Sequence, residues 1–190
     1  MALKAVILAA GAGTRLGNAS PKCLTRLADD RTILEHQLKL LRAYLGVDDI
    51  LVVVGYKKES IMEAFPGLLF AYNERFNVTN TAKSLLRGLR KVAGNNVLWL
   101  NGDVVFEARV IERLLAYGRK RPACMCVKRY QTGEEEVKYE LDEKGLIRRV
   151  SKNLPGGVGE AIGINYISSR HLDLLAASLE ECHEKDYFER

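Results

Sequence analysis

Near its amino end the chain crowds Gly11, Gly13, Thr14, Arg15, Pro21 and Lys22 into one stretch, AVILAAGAGTRLGNASPKCL. Glycines lack a Cβ, so backbone amides there can turn inward and approach an anion. Arg15 adds a planar fork for phosphate oxygens, and Lys22 a mobile point charge whose approach Pro21 restricts. Two cations over a glycine nest suit a polyphosphate better than a single phosphate. The alternative is a tight strand-to-helix turn with two incidental surface charges. A Walker loop is excluded, because Asn18 and Ala19 follow Gly17 where Lys and Ser or Thr are needed. The dinucleotide fingerprint fails as well. Its third glycine falls one place late, at Gly17, and the next strand has Val52, Val53 and Val54 where an acidic residue should stand.

A second candidate is Asp103, in WLNGDVVF, just past an apolar strand. A carboxylate there is placed to hold Mg²⁺ against a triphosphate, or to cap the turn that follows. Asn77, Asn80, Thr81 and Ser84 gather at a helix start. They would meet a base or an α-phosphate, or else Asn80 or Thr81 serves as the N-cap. His36, His171 and His183 form no pattern with a cysteine or a carboxylate. Cys23, Cys124, Cys126 and Cys182 lack the spacing of a zinc site. Cys124 and Cys126 share one strand face and read as core thiols, which suits a reducing cytoplasm.

LAAGAGTRLGNASPKCL resembles the signature of nucleotidyltransferases that join a nucleoside triphosphate to a phosphorylated alcohol or sugar. That pattern is L-A-A-G-x-G-T-R-[LM] followed by P-K-x-L, matched here by Leu8 to Leu16 and Pro21 to Leu24. The resemblance runs through Gly102 and Asp103 to GEAIGINYIS. Within the family, NERFNVTNTAKSL looks most like the branch that makes CDP-choline or CDP-inositol. The resemblance implies in-line attack of a phosphate monoester on the α-phosphorus, with release of pyrophosphate. It implies Leu8, Ala9, Ala10 and Gly11 on the base and ribose, with Ala12, Gly102, Asn80 and Ser84 also on the nucleotide. Gly13, Thr14 and Arg15 would cradle the β- and γ-phosphates, and Lys22 would reach the α-phosphate. Arg15, Lys22 and Asp103 are thus the expected catalytic residues, and Asp103 the Mg²⁺ ligand. Lys152 resembles the lysine that relatives place on the acceptor's phosphate. Glu160 would bind acceptor or metal, or be a solvated glutamate. Relatives continue past a D-Y-x-E segment to a second metal-binding carboxylate, for which Asp186 and Glu189 are the late acidic residues present. A short carboxyl end is therefore expected to slow turnover. A choline acceptor would need an aromatic cage, with Tyr72, Phe76, Tyr139, Tyr166, Tyr187 and Phe188 as candidates.

These residues need a scaffold. Short apolar runs over 5–9, 50–54, 68–72, 97–100 and 123–127 read as buried strands. Helical spacing falls over 33–45, 57–65, 81–92, 110–115 and 171–182. The alternation predicts a three-layer, Rossmann-like, mostly parallel α/β sheet with helices on both faces, the nucleotide-diphospho-sugar transferase type by resemblance. Alternating runs at 137–141 and 146–150 predict a hairpin beside the main sheet as an acceptor lobe, and 161–167 one more strand. The expected organisation is one domain, 1–190, with 1–129 for nucleotide and 130–190 for acceptor.

The totals set the remaining bounds. The 190 residues are 47% hydrophobic and 28% charged, with a net charge of +5. No basic stripe is interleaved with aromatics, so nucleic acid is not the expected partner. No run reaches the length of a membrane span and no signal peptide stands out, so a cytoplasmic, membrane-free location is expected. The partners expected are a nucleoside triphosphate, CTP by resemblance, and a small phosphorylated acceptor. A sugar-1-phosphate nucleotidyltransferase is the rival within the chemistry, and a catalytically impaired nucleotide-binding module the rival outside it.

Overall fold

Strand β1 (Leu3–Ala9) is apolar along most of its length because both its faces are covered. Ala5, Ile7 and Ala9 pack to one side, and Val6 and Leu8 to the other. The computed structural model describes residues 1–12, 20–130, 133 and 136–183. Gly13, Thr14, Arg15, Asp186, Tyr187, Phe188 and Glu189 lie outside the described residues.

Strands β2 (Ile50–Val54), β3 (Leu69–Tyr72) and β4 (Asn96–Asn101) join β1 in the parallel order β3-β2-β1-β4. Helices α1 (Ile33–Leu41), α2 (Lys58–Ala64) and α4 (Ala108–Gly118) cover one face. Helices α3 (Thr81–Lys91) and α5 (Ser169–Glu181) cover the other. Each fully buried leucine contributes about 1.5–3 kcal/mol relative to an exposed one. Leu34, Leu38 and Leu41 on α1 and Leu85 and Leu89 on α3 supply that term from each side.

The second half departs from a parallel pattern. Strand β8 (Gly159–Ile167) runs antiparallel to β4 and to β5 (Ala123–Lys128), which flank it. Strands β6 (Lys138–Leu141) and β7 (Ile147–Ser151) form the expected hairpin. Rather than standing beside the sheet, β6 bonds to the start of β8 through Lys138↔Glu160 and Tyr139↔Gly159. One edge of β8 is therefore paired with β4 at Ile164–Ile167 and with β6 at Gly159–Glu160. The strand bends between these partners at Gly163, whose φ of +73° favours glycine. A Cβ there would also lie 2.3 Å from the Asn101 side chain.

Element ends differ slightly from the sequence reading. Helix α1 stops at Leu41 and a turn follows, although Leu45 remains buried. Its start is fixed by a capping box, in which Glu35 N–H donates to Thr32 Oγ1 at 3.1 Å and Thr32 N–H to Glu35 Oε2 at 2.6 Å.

Candidate active site

The carboxyl ends of β1 and β4, the loop before α3 and the β5–β8 region enclose a cavity of about 1060 Å³. This is where open α/β sheets bind ligands, outside the carboxyl ends of their parallel strands. Leu8, Ala9, Gly11 and Ala12 line it from β1, with Lys22 and Cys23 from a single 3₁₀ turn. Asn77, Asn80 and Thr81 line it from the approach to α3, and Gly102 and Asp103 from the end of β4. Lys152 and Glu160 face it from the hairpin side. The structure thus brings together most of the residues singled out in the sequence.

Two of them do not reach the cavity lining. Ala10 is buried toward α3, and its carbonyl accepts from Tyr56 N–H at 3.0 Å. Ser84 is also buried, and its hydroxyl accepts a hydrogen bond from Asn73 Nδ2 at 2.9 Å. Asn80 does occupy the N-cap position of α3, but its side chain makes no capping bond there. Thr81 Oγ1 is shielded from water and has no hydrogen-bond partner among the described residues.

Asp103 is held from several directions. Its Oδ2 accepts from Lys22 Nζ at 3.2 Å, the two side chains being 43% and 35% exposed respectively. Gly102 N–H donates to the Leu8 carbonyl at 2.9 Å, and a Cβ on Gly102 would lie 2.9 Å from that same oxygen. Only glycine lets the loop approach β1 so closely. From α1, the fully buried Gln37 donates through Nε2 to the carbonyls of Asn101 at 3.0 Å and Val104 at 2.7 Å. His36 Nε2 donates to the Phe106 carbonyl at 2.7 Å, since a carbonyl can only accept. The loop is thereby hung from α1 on both sides of Asp103. Burial pushes the neighbouring Cys23 thiol up to about 12, so it stays neutral and acts as packing.

Asp103 is the residue that would hold a Mg²⁺ ion brought in with a nucleotide. Among the described residues no three His, Cys, Asp or Glu side chains gather as a metal site. Mg²⁺ commonly takes one or two carboxylates with phosphate oxygens and waters, and Asp103 at the cavity wall would supply one of those carboxylates beside a triphosphate.

Lys128 and Glu136 also line the cavity, although nothing in the sequence singled them out. Lys128 follows an apolar run, and Glu136 ends a run of acidic residues that reads as a solvated loop. Strand pairing reveals the first of them: Lys128 stands opposite Glu160 across β5 and β8. Tyr130 Oη donates to Glu160 Oε2 at 2.6 Å. That bond, followed by burial, raises the phenol to about 12 and keeps it a donor. Of the aromatic cage candidates, Phe76 alone lines the cavity among the described residues. Tyr139 and Tyr166 are buried, and Tyr72 is exposed on β3 with Lys58 Nζ 3.6 Å above its ring.

The MobA-like NTP transferase domain model matches residues 5–187 of this chain. The chain belongs to that family. The transferase domain is 41% identical over 123 residues to the CMP-5'-(3-aminopropyl)phosphonate synthase of Streptomyces rubellomurinus. That match covers 60% of this chain and 19% of the relative, so the chain spans about a fifth of that protein's length. The domain shares its fold with the CTP:phosphocholine cytidylyltransferase of Streptococcus pneumoniae, with a TM-score of 0.76 at 19% identity. That alignment covers 95% of this chain and 77% of the other. The inositol-1-phosphate CTP transferase of T. maritima gives a TM-score of 0.70 at 19% identity, over 90% of this chain and 72% of that one. By family this is an NTP transferase domain, with the fold that these neighbours share. No helix among its described residues is long and apolar enough to cross a membrane.

Proposed function

We propose that the domain transfers CMP from CTP to a small acceptor bearing a phosphate or phosphonate, with Mg²⁺, and releases pyrophosphate. An acceptor phosphoryl oxygen attacks the α-phosphorus, the bond from that phosphorus to the bridging oxygen of the β-phosphate breaks, and pyrophosphate leaves. No protein nucleophile is required. The work is charge neutralisation and alignment of two anions that repel each other.

One observation carries this reading. In the strand order β1-β4-β8-β6, Asp103 at the end of β4 stands between the β1 loop and the wall bearing Lys152 and Glu160. Nucleotide on the β1 side and acceptor on the hairpin side would meet there. Leu8, Ala9, Gly11 and Ala12 would hold base and ribose, with Asn77, Asn80 and the Thr81 hydroxyl, unpartnered among the described residues, at the facing wall. Gly13, Thr14 and Arg15 take the β- and γ-phosphates by the motif they complete. Lys22, 3.2 Å from Asp103, would exchange that partner for the α-phosphate as charge builds there. Lys128 and Lys152 would steady the acceptor's anionic end. Bound Mg²⁺ would offset triphosphate charge, with Asp103 as its ligand and Asp186 or Glu189 as the candidates for a second. The cytosine preference is supported by relatives whose names carry CMP or CTP. Chemistry on a nucleoside triphosphate, with four unpaired thiols, favours a cytoplasmic setting.

The test is pyrophosphate release with Mg²⁺ and each of CTP, UTP, GTP, ATP and dTTP against phosphocholine, inositol phosphate, aminoalkyl phosphonates and hexose 1-phosphates. CTP with a non-sugar acceptor is the expected pair. Release only with hexose 1-phosphates would move the domain to the sugar branch. Nucleotide binding without release from any pair would make it a binding module.

A further inference from the structure

The acceptor side of the cavity carries both signs of charge. Lys128 and Lys152 suit a phosphate or phosphonate, but Glu136 and Glu160 line the same space and would repel a dianion. Glu136 Oε2 is shielded from water and accepts no hydrogen bond among the described residues. A carboxylate oxygen withdrawn from water without a donor is costly unless a ligand supplies one. Glu160 is held in place by Tyr130 Oη at 2.6 Å. Its cross-strand neighbours in register are Lys128 and Lys138, and Lys138 Nζ instead donates to the Lys152 carbonyl at 3.2 Å. Among the described residues no third His, Cys, Asp or Glu side chain gathers with them as a metal site.

We infer that Glu136 and Glu160 form a subsite for a primary ammonium group, so that the acceptor is a small zwitterion with an ammonium at one end and a phosphate or phosphonate at the other. This rests on reading that side of the cavity as the acceptor site. A positive ligand group offsets the glutamate charge, which a sugar hydroxyl does not. Primary rather than quaternary nitrogen follows from the chemistry of the walls. A trimethylammonium group has no N–H to give a carboxylate and is recognised by aromatic faces. Here Phe76 is the one aromatic lining residue among those described, and it comes from the approach to α3. An –NH₃⁺ group brings three donors, enough for both glutamates.

The test is calorimetric binding to the full chain with Mg²⁺ and a non-hydrolysable CTP analogue. The probes are 3-aminopropylphosphonate, propylphosphonate, the trimethylammonio analogue of equal length, and glucose 1-phosphate. The amine should bind at least about tenfold tighter than propylphosphonate, the worth of a charge-assisted hydrogen bond. Glu136→Gln and Glu160→Gln should each bring that ratio toward one. Equal affinity for the amine and the plain alkyl compound overturns the inference. So does tighter binding of the trimethylammonio compound or of glucose 1-phosphate, or an amine preference that both variants retain. Binding of the amine as expected, with no pyrophosphate released from hydrolysable CTP and the same amine in a parallel assay, would defeat the transferase reading and leave the ammonium subsite standing.

Discussion

Asp103 and Lys22 show how little a residue pair needs to contribute to stability in order to matter. Their ion pair is part-exposed, and such pairs contribute about 0–1 kcal/mol. The hydrogen bond found for Asp103 goes to Lys22 rather than to a turn amide. Asp103→Asn should therefore leave the melting temperature of the free protein near its original value. It should shrink the stabilisation gained from Mg-CTP, which for wild type at a hundredfold excess over Kd would be about 2.7 kcal/mol. Thermal melts with and without Mg-CTP check this. A loss of about 0.5–2 kcal/mol in the free protein, with the ligand effect intact, would instead assign the carboxylate to the turn.

Helix α1 does more than cover the sheet. Its apolar stripe was legible in the sequence because Leu34, Leu38 and Leu41 recur at helical spacing. What the pattern did not reveal is that Gln37, beside that stripe, is fully buried and carries the loop around Asp103. A single glutamine's partners lie far along the chain, and local spacing holds no record of them. The same limit explains the other surprises. Gly11, Lys22, Gly102, Asp103, Lys152 and Glu160 were readable from contiguous motifs, whereas Lys128 reaches the cavity through strand register and Glu136 from the segment just before β6. Ser84 sits at helical spacing in the motif region, yet Asn73 takes its hydroxyl. The reversal of β8 was equally hidden, since an apolar strand reads the same in either direction. Gln37→Met keeps the bulk but leaves two carbonyls without their donor, at a cost of about 1–3 kcal/mol. If the helix positions the loop, kcat should fall more than the KM for CTP rises. Denaturant melts and steady-state kinetics give the two numbers, and a loss of stability with unaltered kcat would reduce Gln37 to a packing residue.

Eight strands make a single sheet, yet its halves are unequally joined. The parallel half is cross-linked by long registers, such as the six pairs from Leu3↔Asn96 to Leu8↔Asn101. The hairpin meets β8 through only the two pairs Lys138↔Glu160 and Tyr139↔Gly159. Glu136 and Lys152 stand just outside its two strands, so both ride on the same segment. From that narrow seam we expect residues 136–152 to be exchangeable as a unit. Substituting the corresponding segment from a relative with another acceptor should redirect acceptor choice while CTP affinity holds, as measured by calorimetry and a pyrophosphate assay. On the proposed reading, acceptor range in such a molecule would diversify by replacement of one short insert, because β1 and β4, proposed to hold the nucleotide, make no register pair with it.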